Sequence, residues 1–121
     1  MLIGVVDDDV RVLEALDELL AATGHEACLF ETAEAFLESE VGIGTACLIS
    51  DVQLPGMNGF ELVSELKARN RNLPVILITG LDAPEIQRMS KEAGALAVFA
   101  KPFDPTELLT FLRLATSQHK D

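Results

Sequence analysis

The sequence predicts an α/β fold: five parallel strands in one doubly wound sheet, with helices on both faces. Three observations predict it. Short apolar runs recur five times, and each is followed by a capped segment of helical period. The runs are continuously apolar instead of alternating, as in strands covered on both sides. The connections are short, which suits right-handed crossovers between parallel strands. Alternation alone leaves the strand order open.

The first run, Leu2 to Val6, ends in Asp7-Asp8-Asp9. A helix follows from Val10 to Thr23, with Val12, Leu13, Leu16, Leu19 and Leu20 on one stripe and Arg11, Glu14 and Glu18 opposite. Asp9 reads as its cap or as a solvated residue, and Gly24 as the residue that ends it. The second strand is Ala27 to Phe30. Thr32 can cap a helix to about Glu40, with Phe36 and Leu37 inward, until Gly42 and Gly44 break it. The third strand, Ala46 to Ser50, leads to Asp51, and Pro55, Gly56 and Gly59 punctuate the loop beyond.

Asn58 caps the next helix, which runs to about Arg69, and Glu61 at its third position completes a capping box. Leu62, Val63 and Leu66 form its stripe. Pro74 opens the fourth strand, Val75 to Ile78, which ends at Thr79-Gly80. Asp82 and Glu85 carry the signature of another helix start, and that helix ends near Gly94. The fifth strand, Leu96 to Ala100, ends at Lys101-Pro102-Phe103. Asp104, Pro105 and Glu107 begin the last helix as cap, first position and third position, with Leu108, Leu109, Leu112 and Ala115 on its buried side. Residues 117–121 read as a tail or the start of a linker.

Composition narrows the function. The 121 residues fit one domain, 1–121, and 49% of them are hydrophobic, ample for a core. No stretch reaches the roughly 18 apolar residues of a membrane span. No basic region precedes an apolar run at the N-terminus, so the expectation is a cytoplasmic protein without a signal peptide. A net charge of −11, from 20 acids against 9 bases, argues against this chain gripping nucleic acid. Cys28 and Cys47 lie in apolar runs without metal-ligand spacing and read as small buried hydrophobes. His25 and His119 have no partner pattern and read as surface residues.

In open α/β sheets, ligands sit outside the carboxyl ends of the strands. There the first strand supplies Asp7 and Asp8, the third Asp51, the fourth Thr79 and the fifth Lys101. Each alone has an ordinary reading as a cap or turn residue; their coincidence at four strand ends does not. Clustered carboxylates repel and need neutralising charge. Lys101 supplies one unit, and an all-oxygen donor set suits Mg²⁺. A carboxylate beside Mg²⁺, a hydroxyl and an ammonium is equipped for phosphoryl transfer, with aspartate as nucleophile. No nucleotide loop of the GxxxxGKS/T or GxGxxG kind is present, so the donor should be a phosphorylated protein or a small acyl phosphate.

Taken together, Val6-Asp7-Asp8-Asp9, the run Ser50 to Gly59, Ile78-Thr79-Gly80, Ala93-Gly94-Ala95 and Lys101-Pro102-Phe103 resemble the receiver domain of two-component response regulators. The motifs span nearly the whole chain, in family order and spacing. The resemblance implies the flavodoxin-like, chemotaxis-regulator-like (βα)5 fold with strand order 2-1-3-4-5. It implies phosphorylation of Asp51 from a histidine kinase or a histidine phosphotransfer protein. It implies Mg²⁺ held by Asp8, Asp51 and the Gln53 carbonyl, with Asp7 behind them, and Thr79 and Lys101 as the pair that senses the phosphoryl group. It implies a cis Lys101–Pro102 bond, and signalling to an output domain or a dimer partner through the face of helix four, strand five and helix five. Such a domain is a phosphoacceptor and not an enzyme in the ordinary sense. One departure stands out: Val98 occupies the position, three before the lysine, where the family usually carries Phe or Tyr.

Three other readings compete. A haloacid-dehalogenase-type phosphatase needs a second Asp two residues after Asp51, where Gln53 stands. A flavin carrier needs a hydroxyl- and glycine-rich loop after the first strand and aromatic flanks. A degenerate receiver, acting as a docking module or phosphoryl sink, needs some other defect, because all five site residues are present.

Overall fold

The computed structural model describes residues 1–81 and 84–117. Strands β1 (Leu2–Val6), β2 (Glu26–Phe30), β3 (Cys47–Asp51), β4 (Val75–Thr79) and β5 (Ala97–Ala100) form one parallel sheet in the order β2-β1-β3-β4-β5. Helices α1 (Val10–Ala22), α2 (Ala33–Glu38), α3 (Gly59–Ala68), α4 (Pro84–Ala93) and α5 (Pro105–Ser117) alternate with them. The doubly wound fold and the implied order are those expected.

The sheet separates two half-cores. On one face Ile3, Val5, Cys47, Ile49, Ile76 and Ile78 pack against Leu13, Leu16 and Leu20 of α1 and Leu108, Leu112 and Ala115 of α5. On the other, Val6, Leu48, Val75 and Leu77 meet Ala33 and Phe36 of α2 and Leu62, Val63 and Leu66 of α3. β3 and β4 are buried at every position, which is why their sequences are unbroken apolar runs. β2 and β5 are sheet edges and only half-buried.

Helix ends follow their local signals. Asp9 caps α1 by accepting the Arg11 amide at 2.9 Å, and Thr32 caps α2 by accepting that of Ala35 at 3.0 Å. Asn58 and Glu61 close the full capping box on α3 at 2.9 Å each way. Asp104 accepts the Thr106 amide at 2.8 Å at the start of α5. After α1, Gly24 takes φ +86°, its amide donates to Ala21, and that of His25 donates to Leu20, the six-to-one and five-to-two pattern that closes a helix. The expected Asp82 cap of α4 and the tail 118–121, His119 included, lie outside the described residues.

Four expectations need correcting. Cys28 is half-buried instead of buried, because β2 is a sheet edge. α2 ends at Glu38, before the predicted Glu40, because Ser39 turns extended and a 3-10 turn occupies Val41–Gly44. His25 is half-buried, not a surface residue: its Nδ1 is enclosed and meets no hydrogen-bond partner among the described residues. Ser117 belongs to α5 and not to the tail.

Candidate functional site

The topology makes β1, β3, β4 and β5 consecutive neighbours, so four carboxyl ends lie side by side. Backbone pairing runs on past the strands and aims the residues there. The Asp7 amide donates to Phe30 O at 3.1 Å, that of Val52 to Ile78 O at 2.8 Å, and that of Lys101 to Thr79 O at 2.7 Å. Asp51 itself is the last residue of β3.

Asp7, Asp8 and Asp51 each bring a carboxylate oxygen within 4.8 Å of the others. Asp7 is wholly buried and Asp51 nearly so, while Asp8 faces solvent. Lys101 is the counter-charge: its Nζ donates to Asp7 Oδ2 at 2.9 Å and to Asp51 Oδ2 at 3.0 Å. The other oxygens are bound to backbone. Asp7 Oδ1 accepts the Asp9 amide at 2.8 Å, and Asp51 Oδ1 accepts the Gln53 amide at 3.2 Å. Thr79 is buried, and its Oγ1 accepts the Leu81 amide at 3.0 Å. The Lys101–Pro102 bond is cis, as the resemblance implied.

Burial pushes the Asp7 carboxyl above its ordinary value of 3.8, although the Asp9 amide and Lys101 pull the other way. Burial pulls Lys101 down, but its hydrogen bonds to Asp7 and Asp51 outweigh it and leave the ammonium above its ordinary 10.5. One cation thus faces two carboxylates with a third beside them, and the cluster carries excess negative charge. Three convergent carboxylates, two buried and one open to solvent, fit a hard divalent cation. Asp9, the remaining acid of the run, points away to Arg11 at 3.2 Å.

The sequence matches the family model of the response regulator receiver domain over residues 3–113. The chain belongs to the response regulator receiver family. This receiver domain is 33% identical over 114 residues to the transcriptional regulatory protein FixJ of Bradyrhizobium diazoefficiens, covering 94% of the chain and 56% of FixJ. It is 37% identical over 117 residues to nodulation protein W of the same organism, covering 96% of the chain and 51% of that protein. It therefore spans about half the length of these relatives. The crystal structure of FixJ-N superposes with a TM-score of 0.87 at 29% identity, over 96% of this chain and 93% of that one. Receiver domains are signalling domains, not enzymes in the ordinary sense, and are generally Mg²⁺-dependent; the acidic trio is where this one could hold the ion. Among the described residues no helix is long and apolar enough to cross a membrane.

Of the strand-end residues singled out in the sequence, Asp7, Asp8, Asp51 and Lys101 come together, with Lys101 touching Asp7 and Asp51 directly, while the Thr79 hydroxyl bonds the Leu81 amide instead. Glu34 was not among them. It stands on α2, and nothing local in the sequence connects it with the loop after Asp51, whose Met57 amide it accepts at 3.0 Å.

Proposed function

We propose that this receiver accepts a phosphoryl group on Asp51 and passes the signal to an output domain or partner. The observation that carries the reading is the convergence of Asp7, Asp8, Asp51 and Lys101 at one sheet edge. The donor is the phosphohistidine of a histidine kinase or histidine phosphotransfer protein, or a small acyl phosphate. A carboxylate oxygen of Asp51 attacks phosphorus. The bond from phosphorus to the donor nitrogen or oxygen breaks, and the donor leaves with its electron pair.

The chain's own groups set up the transfer. Lys101, already 3.0 Å from Asp51, is placed to follow the charge onto the incoming phosphoryl oxygens. Thr79 can reorient its hydroxyl toward them, which ends its bond to the Leu81 amide. Asp8, Asp51 and the Gln53 carbonyl are the metal ligands in this reading, with Asp7 behind them and bound to Lys101. Bound Mg²⁺ would supply charge neutralisation for three carboxylates and the incoming phosphate.

The signal leaves through α4, β5 and α5. Leu96, between α4 and β5, and Leu114 of α5 are exposed, and a cavity of about 640 Å³ between α4 and β5 is lined by Gln87, Lys91, Leu96 and Val98. The test is incubation with acetyl phosphate and Mg²⁺, read by intact-protein mass. Transfer of one phosphoryl group supports the phosphoacceptor reading. No transfer, with the fold intact, would leave a docking module in its place.

A further inference from the structure

Glu34 reaches from α2 to the loop that carries the chain away from Asp51. Its Oε2 accepts the Met57 amide at 3.0 Å across 23 residues. The preceding Gly56 has φ +73°, and a Cβ built there would stand 2.6 Å from the same Oε2. Glycine thus serves twice, by taking a left-handed backbone and by leaving room for the carboxylate.

The α2 end of this bond is anchored in the core. Ala33 and Phe36 flank Glu34 on the helix and are wholly buried, and the Phe36 ring stands edge-on to Phe30 at 5.3 Å. The loop end is held less firmly. At its start the Gln53 amide bonds Asp51, and at its finish the Gly59 amide donates to Val52 O at 2.9 Å. Among the described residues, the Met57–Glu34 bond is the only hydrogen bond tying residues 54–57 to another element. A charged acceptor makes such a bond about twice as strong as a neutral one. The Met57 amide, with the amide of Glu34 itself, holds this carboxyl below its ordinary 4.5, so it is ionised wherever the site could function.

We propose that Glu34 is a positioning residue for the metal site: by gripping the Met57 amide it fixes the loop between β3 and α3, and with it the Gln53 peptide. The proposal rests on the reading of Asp7, Asp8 and Asp51 as a Mg²⁺ site. Groups that orient metal ligands without touching the ion commonly change affinity by tenfold or more.

The test uses the whole chain and the variants E34A, E34Q and E34D. Mg²⁺ affinity is measured by titration calorimetry, and Met57 amide exchange by NMR without metal. E34A should bind Mg²⁺ about tenfold more weakly, exchange Met57 faster, and melt at nearly the wild-type temperature without metal. E34Q keeps an acceptor oxygen at the same reach and should retain most of the affinity. E34D is one methylene short and should behave as E34A. Equal losses in E34Q and E34A would assign the effect to charge alone and overturn the proposal, as would unchanged affinity in E34A. A wild-type chain that binds no Mg²⁺ would overturn the reading of the cluster, and this proposal with it.

Discussion

Lys101 Nζ lies 3.0 Å from Asp51 Oδ2, although 50 residues separate the two in the chain. The same ammonium holds Asp7 at 2.9 Å, so one partly buried cation joins two buried carboxylates. Lys101→Met keeps the aliphatic stem but leaves both acids facing each other. It should destabilise the metal-free protein by about 2–3 kcal/mol. Urea unfolding in chelator measures this, and saturating Mg²⁺ should recover part of the loss. A change below about 0.5 kcal/mol would show that the pair contributes little.

Gly59 and Gly80 should respond oppositely to alanine. A Cβ on Gly59 would stand 2.6 Å from Asp51 O and 2.9 Å from Val52 Cα, and neither backbone atom can yield without moving the site. Gly59→Ala should therefore cost about 2–3 kcal/mol and impair phosphoryl transfer. At Gly80 the nearest atom is Gln53 Oε1 at 3.9 Å, the end of a flexible side chain. Gly80→Ala should stay within about 0.5 kcal/mol of wild type. Denaturant midpoints of the two variants decide, and equal losses would contradict this reading of the loop.

The cysteines should differ in reactivity and never bridge. Cys28 pairs with Gly4, which faces Phe36, whereas Cys47 packs in the core on the opposite face of the sheet. β1 also lies between their strands, and two strand spacings are roughly 9.5 Å, beyond the reach of about 7 Å for a disulfide. Burial pushes the Cys47 thiol up to about 12, against an ordinary 9.0. The folded state then keeps a proton that the unfolded chain releases. This contribution to stability is whole below the ordinary value and is lost as pH climbs from about 9 towards 12. Thiol titration at pH 8 should label Cys28 alone in the native protein and both residues after unfolding. Alkaline unfolding should be shallower in Cys47→Ala. Fast labelling of native Cys47 would contradict the packing.

Val98 should not act as a switch. It pairs with Leu77 in the sheet and packs into the half-core under α3 and α4, while Phe99 turns to the other face and meets Phe111 edge-on at 5.3 Å. Valine is stiff at χ1 and too short to sweep between buried and exposed positions. Thr79 offers another route, because its hydroxyl holds the amide of the exposed Leu81. Turning that hydroxyl toward a phosphoryl group releases Leu81 and the start of α4. Structures with and without beryllofluoride on Asp51 should differ around residues 80–84 and leave the Val98 rotamer unchanged. The reverse pattern would contradict this route.

Much of this was legible in the sequence, for physical reasons. β3 and β4 are buried on both faces, so their apolar runs stop abruptly at Asp51 and after Thr79. Caps such as Asp9, Thr32 and Asn58 are local, and their side chains bond amides two or three residues away. The order of strands was not local. Alternation establishes parallel pairing and handedness but not neighbours, and only the family resemblance implied 2-1-3-4-5. Asn70, at φ 58°, closes α3 as Gly24 closes α1, but an Arg-Asn-Arg stretch reads as plain polar loop. The enclosure of His25 Nδ1 and the reach of Glu34 to Met57 depend on how helices seat on the sheet, which no residue window contains.

Asp51 is the proposed phosphoacceptor. The most direct measurement is the intact mass of wild type, Asp51→Asn and Asp9→Asn after incubation with acetyl phosphate and Mg²⁺. Wild type and Asp9→Asn should each gain one phosphoryl group, which chelator prevents, because Asp9 only caps α1 and pairs with Arg11. Asp51→Asn should gain none while remaining folded. Undiminished labelling of Asp51→Asn would rule out Asp51 as the phosphoacceptor.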